Sequence, residues 1–559
     1  MLSANTLYGT AFEGVSVGYG IVFALSLPPS LNNVPVITWS TPPIIYGADL
    51  SATLNATANV PGTFDYSLTN GTVLSEGAHP ITLIFTPADP LYYSSVTDTV
   101  TLVVLPKPVF TTLHGFAALS TNAPYGNSDG TQPQAGLILS GNTLYGTAFS
   151  GGPLNAGSVF ALNTNGTDFT NVYSFTGGSD GAAPLGGLIL SGNTLYGTAQ
   201  NGGTNGYGTV FAVSTNGIAF ASAYSFTGAD DGGNPVAGLV LSGNTLYGTT
   251  YNGGTWQSGS VFAVNTNGTD FTNVYSFVGG SDGANPQGGL VLSGNTLYGT
   301  AQSGGTNGDG TVFAVNTDGT GFKVLHTFDK SDGESPQESL ILSGSTLYGT
   351  AYVGGAGGTG TVFGLNTNGT GFTTLYSFTA VSYTALGLLT NGDGAYPEGG
   401  LVLSGNTLYG TTYNGGTSGV GTVFAVYTDG SGLTSLHGFT APLDQSIGFT
   451  NSEGADPKGA LILSGNTLFG TASAGGISGN GTIFSISLPV VSPELTIIPA
   501  AANVILTWPT SAVGFTLQST TNLVSPAWTT NAPAPVVING QNTVTNPISG
   551  TQQFFRLSQ

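Results

Sequence analysis

One acidic residue recurs through the sequence in the pattern Asp-Gly-x-x-Pro, at Asp129, Asp180, Asp231, Asp282, Asp332 and Asp393, with Glu453 in the seventh copy. Carboxylates repeated at a fixed position are calcium chemistry if their oxygens converge, because calcium takes six or more oxygen ligands. Each copy brings only one carboxylate, however. An acid followed by Gly shortly before Pro is also what a tight turn uses, its oxygens accepting hydrogen bonds from backbone amides. The turn is the expected role, with calcium as the competing one.

Other reactive side chains are scarce. His114, His326 and His437 stand where other copies have Tyr173, Tyr224, Tyr275 and Tyr376, and exchange with tyrosine points to amphipathic aromatic packing, not proton transfer. His79 lies apart, with no evident partner. Stretches such as GGTNGYG at residues 202–208 look like phosphate cradles, but a phosphate loop opens a helix and these join two strands. Cysteine is absent, which removes thiol nucleophiles, thiolate metal sites and disulfides. Arg556 is the sole arginine, so no arginine cluster of the sialidase kind exists. Paired carboxylates for glycoside cleavage stay open, since spacing in sequence does not fix separation in space.

Those residues are carried on an unusual composition. Five Lys and Arg against 26 Asp and Glu give a net charge of −21, too little base to neutralise phosphates, so nucleic acid and anionic membranes are excluded as partners. With 90 glycines, 6% charged and 40% apolar residues, the chain fits many short strands joined by Gly-rich turns. No apolar run is long enough to span a membrane. The opening MLSANTLYGTAFEG has neither a basic segment nor an apolar core, so it is not a signal peptide.

Internal repetition organises the chain. LYGT or LFGT recurs with its aromatic at Tyr145, Tyr196, Tyr247, Tyr298, Tyr348, Tyr409 and Phe469, at spacings of 51, 51, 51, 50, 61 and 60 residues. Each unit holds four strands: DFTNVYSF, an apolar GLILS, TLYGTA after a Gly-Asn turn, and GTVFAV after a Gly-Gly loop. No segment has helical periodicity, so the expected class is all-β. The first unit opens with VFTTLHGF and the last ends after GTIFSISLP without a partner strand. The N-terminal strand is therefore expected to complete the final sheet and close a ring, which removes exposed edges.

The strand order resembles the kelch propeller blade. GLxLSGNTLYGTAxxGG followed by GTVFAVNTNG is similar to the tandem repeat of choice-of-anchor GloVer-containing bacterial proteins. The resemblance covers residues 109–488 and implies a seven-bladed β-propeller with four strands per blade, export, and some form of anchoring. The tail itself ends in FFRLSQ, with no recognisable anchor.

The flanks are expected to be two small β-sandwich modules. Residues 34–105 alternate as sandwich strands do and resemble bacterial immunoglobulin-like repeats. Residues 494–559, with VILTWP, FTLQSTTNL and QFFRL, resemble the terminal fibronectin-like modules of secreted proteins from Verrucomicrobia-type bacteria. Residues 1–28 carry ANTLYGTA and GIVFALSLP, the second and third strands of a further repeat. FALSLP parallels FSISLP at the end of the main array, so this piece is expected to end a preceding propeller, with Met1 an internal methionine. An eighth blade is the alternative.

Loop length breaks the symmetry. Phe116 to Asp129 spans 13 residues, Phe378 to Asp393 spans 15 and Phe439 to Glu453 spans 14, against four or five elsewhere. In a seven-membered ring these three units are neighbours, so their loops gather on one sector of one face. Tyr125, Tyr383, Tyr396, Asp444 and Phe449 there, with Trp256 in an exposed Gly-rich loop, are the candidate ligand contacts. The expectation is a non-catalytic, monomeric, extracellular or cell-surface adhesion scaffold that binds a glycan or a surface protein. A structural matrix protein and a polysaccharide hydrolase or lyase are the alternatives.

Overall fold

The computed structural model describes residues 2–3, 6–11, 21–26, 33–39, 44–47, 50, 54–69, 72–122, 125–384, 387–441, 450–489, 495–500, 503–509, 515–523, 527–530, 534–538, 541–547 and 553–558. Among them every element is a strand, and no helix is long and apolar enough to cross a membrane. The chain divides into two compact units, Met1–Leu105 and Pro106–Gln559.

In the second unit a propeller-like array of seven four-stranded antiparallel sheets runs between residues 109 and 487. One repeat shows the plan. Val291–Ser293, Thr296–Ala301, Thr311–Asn316 and Lys323–Thr327 pair in sequence order. The seventh sheet consists of Ile462–Ser464, Thr467–Ala472 and Thr482–Ser487, and its fourth strand is Val109–Gly115, antiparallel to Thr482–Ser487. The closure expected from counting strands is thus present. The first strand is shorter than the apolar GLILS run implied. In the second repeat it covers only Ile189–Ser191, because the glycines before it pass close to neighbouring repeats.

Each letter of TLYGTA has a physical task. Leu297 and Ala301 are fully buried. Gly299 pairs with Phe313 across the ladder, and a Cβ there would lie 2.7 Å from the Phe313 ring and 2.9 Å from Leu290 Cδ2. The motif needs glycine so that the phenylalanine of the next strand can lie over it. Thr300 Oγ1 donates to the Glu338 carbonyl of the following repeat at 3.1 Å. Thr198 does the same to Ala237 at 2.8 Å and Thr249 to Gly288 at 3.2 Å. Thr471 donates to Ala135 at 3.0 Å, joining the seventh repeat to the first.

A second set of ties is aromatic. The Tyr or His of each fourth strand stacks on a Phe of the next sheet: Tyr173 on Phe220 at 4.0 Å, Tyr275 on Phe322 at 3.8 Å and His326 on Phe372 at 3.6 Å. His437 on Phe110 at 4.0 Å and His114 on Phe169 at 3.8 Å carry the series through the closing strand. Tyr224 on Phe271 at 4.1 Å belongs to the same series, and in the seventh place, where Leu433 stands for the Phe, Leu433 and Tyr376 both pack against one core. Such pairs contribute about 0.5–1.5 kcal/mol each beyond area burial.

The flanking segments are separate cores. In the first unit Ile44–Ile45, Val96–Leu105, Gly77–Pro87 and Gly62–Tyr66 form one mixed sheet and Ile37–Thr38 with Thr57–Ala58 a small second one. Ile81, Leu83 and Phe85 alternate into its core. Leu2–Ser3, Thr6–Ala11 and Ile21–Ser26 form a three-stranded sheet whose register, Tyr8 opposite Ala24, matches Tyr145 opposite Ala161 in the array. The first of these strands adds to the two legible in sequence. The tail has two sheets whose faces share Leu506, Trp508, Val544 and Leu517.

Gly299→Ala should lower stability by roughly 1–3 kcal/mol through overpacking against Phe313, read as a shift of the denaturant midpoint. An unchanged midpoint would show that the ring does not rest on this glycine.

Candidate functional site

The recurring acids close turns. Asp180 Oδ2 accepts from the Thr176 amide at 2.8 Å and from the Tyr173 hydroxyl at 3.0 Å, while the Thr176 hydroxyl donates to Oδ1. Asp231 and Asp393 repeat this with Thr227, Tyr224, Thr379 and Tyr376. Asp282 accepts from Tyr275 at 2.9 Å and from the Val278 amide at 2.8 Å. In the other copies histidine replaces the phenol: His114 at 3.2 Å from Asp129, His326 at 2.9 Å from Asp332 and His437 at 3.4 Å from Glu453. Burial keeps Tyr173, Tyr224 and Tyr275 protonated and holds His326 and His437 below the ordinary histidine value. The tyrosines and His326 are therefore neutral donors at neutral pH, whereas His437 Nε2 is buried without a hydrogen bond.

The amide backbone role expected for these acids is present, and the clasp to Tyr or His is what sequence did not reveal. Amide and hydroxyl hydrogens meet these carboxylates, where a cation would need oxygens, although Asp129 Oδ1 and Asp282 Oδ1 are buried without a donor. Among the described residues no three His, Asp or Glu side chains are grouped to hold a metal ion. His79, without an evident partner in sequence, has its Nε2 2.6 Å from the Ser75 carbonyl.

A different group of residues meets at the axis of the ring. A cavity of about 260 Å³ is lined by all seven repeats, through the segment that follows each Asp-Gly-x-x-Pro proline. One water needs roughly 10–15 Å³ by this kind of measure, so a sugar-sized solute has room. Around the cavity the first residue after the proline is Gln134, Leu185, Val236, Gln287, Gln337, Glu398 and Lys458, and the second is Ala135, Gly186, Ala237, Gly288, Glu338, Gly399 and Gly459. Repeats five to seven alone bring charge to the axis.

Short loops place these side chains. Isolated bridges such as Glu334 to Val353 and Ala395 to Asn414 tie each Asp-Gly loop to the Gly-Gly loop of its own repeat, putting both on one face. Tyr396 and Asp456, each before a proline, hold left-handed backbone at φ 59° and 56°. The Tyr396 carbonyl accepts from the Tyr413 amide at 2.9 Å, and its ring packs on Tyr352 at 5.3 Å. Lys458 Nζ lies 3.1 Å from Glu398 Oε1 and 4.4 Å from the centre of the Tyr413 ring.

Electrostatics make this sector distinct. Burial, and then repulsion from Glu398, hold the Glu338 carboxyl well above the usual carboxylate range, against smaller opposing effects of the Ser339 amide and Lys458. Glu338 keeps some contact with the cavity, but the cavity is narrow and protein surrounds it. Burial also lifts Asp456 to about 7 and Tyr352 to about 12, and raises Tyr413. The sector therefore offers phenol O–H donors and a Glu338 carboxyl biased towards its protonated form around one ion pair.

Of the residues singled out from sequence, Tyr396 joins this group. Trp256 (60% exposed), Tyr125 (56%) and Tyr383 (78%) stand on loops at the surface, Tyr383 on a short hairpin of Ser382–Tyr383 with Leu389–Thr390. Asp444 and Phe449 lie outside the described residues. Glu338, Glu398, Lys458, Asp456, Tyr352 and Tyr413 were missed. Subtracting the repeats from one another at the positions after the proline is the signal that finds the three axial charges.

The pattern of the Gloeobacter/Verrucomicrobia repeat matches residues 107–296 and 278–447. No curated protein sequence matches the chain. Solved structures with similarity include an oligogalacturonate lyase in complex with manganese (14% identity, TM-score 0.39, 77% of this chain and 97% of that one). Others are TolB from Acinetobacter baumannii (10%, 0.30, 63% and 79%) and a chain of a nidogen/laminin complex (15%, 0.30, 52% and 89%). At these identities the likeness concerns fold alone.

Two outcomes are expected of this geometry. Asp282 Oδ1 is buried without a donor, because Val278 stands where other repeats have threonine. Val278→Thr should supply the hydroxyl and add about 1 kcal/mol of stability in denaturant unfolding, and a loss would show that the clasp does not transfer between repeats. Asp456, raised to about 7, is protonated in both folded and unfolded states at low pH. As pH rises from about 4 to 7 the unfolded chain ionises first, so its contribution to stability is lost across that window. Asp456→Asn should raise the melting temperature at pH 8 and leave it nearly unchanged at pH 4, with a ceiling of about 4 kcal/mol lowered by the partial exposure of Asp456. Equal effects at both pH values would refute the buried carboxyl.

Proposed function

The chain belongs to the Gloeobacter/Verrucomicrobia repeat family, and from that membership we propose that it is an extracellular or cell-surface binding protein. Its ring is a kelch-like propeller of seven blades and the platform for one carbohydrate site, at the axial sector of repeats five to seven. The flanking β modules, immunoglobulin-like at 34–105 and fibronectin-like at 494–559, are spacers.

One observation carries this reading: three charged side chains, Glu338, Glu398 and Lys458, interrupt a cavity lining that is otherwise Gly, Ala, Gln, Ser, Leu, Ile and Val, and Tyr413 lies beside them under Lys458. Phenols kept protonated by burial and a neutral carboxyl are hydrogen-bonding partners for sugar hydroxyls, and ring faces suit the apolar face of a pyranose. Glu398 is held in an ion pair with Lys458, which favours recognition over catalysis because the base a glycosidase needs is already neutralised. The exposed Tyr125, Tyr383 and Trp256 are outer contacts for a longer glycan.

A glycan array probed with the full chain tests the reading. Binding that falls at least about tenfold in Tyr396→Ala and in Glu398→Gln, the loss of one good contact of about 1.4 kcal/mol, is expected. Binding unaffected by both substitutions would overturn the axial site. Release of reducing sugar from a bound glycan would overturn the non-catalytic assignment.

A further inference from the structure

The axial sector carries an unbalanced set of charges. Glu338, Glu398 and Asp456 are three carboxyls, and Lys458 is the one ammonium among them. Lys458 is already engaged, 3.1 Å from Glu398 and over the Tyr413 ring. Glu338 has no counter-ion of its own. It occupies the position where the other six repeats have Gly or Ala, its Oε2 beside Gly400, and it lines the cavity. The groups that bear on it are Glu398 from the sixth repeat, Lys458 from the seventh and the Ser339 amide of its own. Gln287 and Gln337, 3.5 Å apart on the same wall, are neutral.

We propose that this cavity takes a sugar residue bearing a protonated amine, of the hexosamine class, with its ammonium against Glu338. The proposal rests on the carbohydrate reading above and names the ligand class.

Elimination by charge supports it. A buried carboxylate without a partner is costly, and the free protein avoids that cost by keeping the proton on Glu338. A neutral sugar leaves the proton in place and gains a hydrogen bond but no charge pair from the glutamate that distinguishes this repeat. An anionic sugar meets three carboxyls. A divalent ion needs about six oxygens, and no set of three ligating side chains is gathered among the described residues. An ammonium is the one simple group that converts Glu338 from an expense into a contact, and Lys458 on Glu398 and Tyr413 shows how this lining already accommodates one. The balance of the step is R–NH3+ plus the Glu338 carboxylic acid giving an ammonium–carboxylate pair and one proton released to solvent.

Isothermal titration calorimetry of the full chain with D-glucosamine and with D-glucose tests this. Titrations in two buffers of different ionisation enthalpy count the protons. Glucosamine is expected to bind with net release of protons, because Glu338 is held above the usual carboxylate range in the free protein. Affinity should therefore be higher at pH 6.5 than at 5.5, by up to about tenfold for one linked proton. Glu338→Gln should abolish the proton release and weaken glucosamine at least about tenfold more than it weakens glucose. If that variant does not fold, the proton count in the unaltered chain decides. Glucose bound as tightly as glucosamine, or glucosamine bound with no proton released, would keep the carbohydrate site and overturn the amine assignment. No binding of glucosamine while neutral glycans still bind on the array would overturn it as well, and failure of every sugar would overturn both.

Discussion

Backbone meets backbone at the axis of this ring, and that crowding governs the rest. A Cβ on Gly186 would lie 2.4 Å from the Ala237 carbonyl oxygen, and one on Gly288 would lie 2.5 Å from the Glu338 carbonyl. Small residues after each proline are what let the sheets converge. Where threonine of one repeat reaches the carbonyl of the next, as Thr198 reaches Ala237 and Thr471 reaches Ala135, the same closeness becomes a hydrogen bond. Tight convergence also makes the axial cavity narrow, so a side chain that departs from Gly or Ala there has a large electrostatic effect. Glu338 is that departure.

Outside the axis the sheets are held by contacts that trade one residue for another without changing their role. Tyr and His both present a flat ring to the Phe of the next sheet and a polar hydrogen to the acid of the turn. His326 stacks at 3.6 Å on Phe372 and stands 2.9 Å from Asp332, and Tyr275 stacks at 3.8 Å on Phe322 and donates to Asp282 at 2.9 Å. A buried carboxylate would be a liability alone, and here donors on the neighbouring strand satisfy it. The charge of the acid ring is thus consumed in structure, which separates it from the axial acids.

How much of this was legible follows from where each signal lies in the sequence. The strand order and the closing role of Val109–Gly115 could be read because TLYGTA and GTVFAV recur and because the last copy lacks a fourth strand. The turn role of the acids was legible from Asp-Gly before Pro. The clasp was not, since the separation of donor and acid runs from 6 residues for His326 and Asp332 to 17 for Tyr376 and Asp393, and no fixed spacing marks it. The axial site was hidden for a similar reason. Glu398 and Lys458 are 60 residues apart, and each looks like ordinary turn filler until the ring brings them together. Loop length pointed to repeats one, six and seven, and of those residues Tyr396 reaches the axial sector, through the short segment before its proline and not through the insertion.

A ring of near-identical repeats offers seven equal places around its axis, and a small asymmetric ligand is recognised by none of them better than another. Recognition requires that symmetry be broken at a few positions while the packing that closes the ring is kept. At the axis the break lies in three side chains that line the cavity, Glu338, Glu398 and Lys458. Thr300 still donates to the Glu338 carbonyl as its counterparts do to Gly or Ala, so the backbone of repeat five keeps the common geometry while its side chain does not. Tyr396 and Asp456 likewise use the left-handed backbone that Gln132, Ala183, Asn234, Asn285 and Ser335 also adopt. The scaffold supplies position seven times over, and substitution at three successive repeats supplies chemistry once.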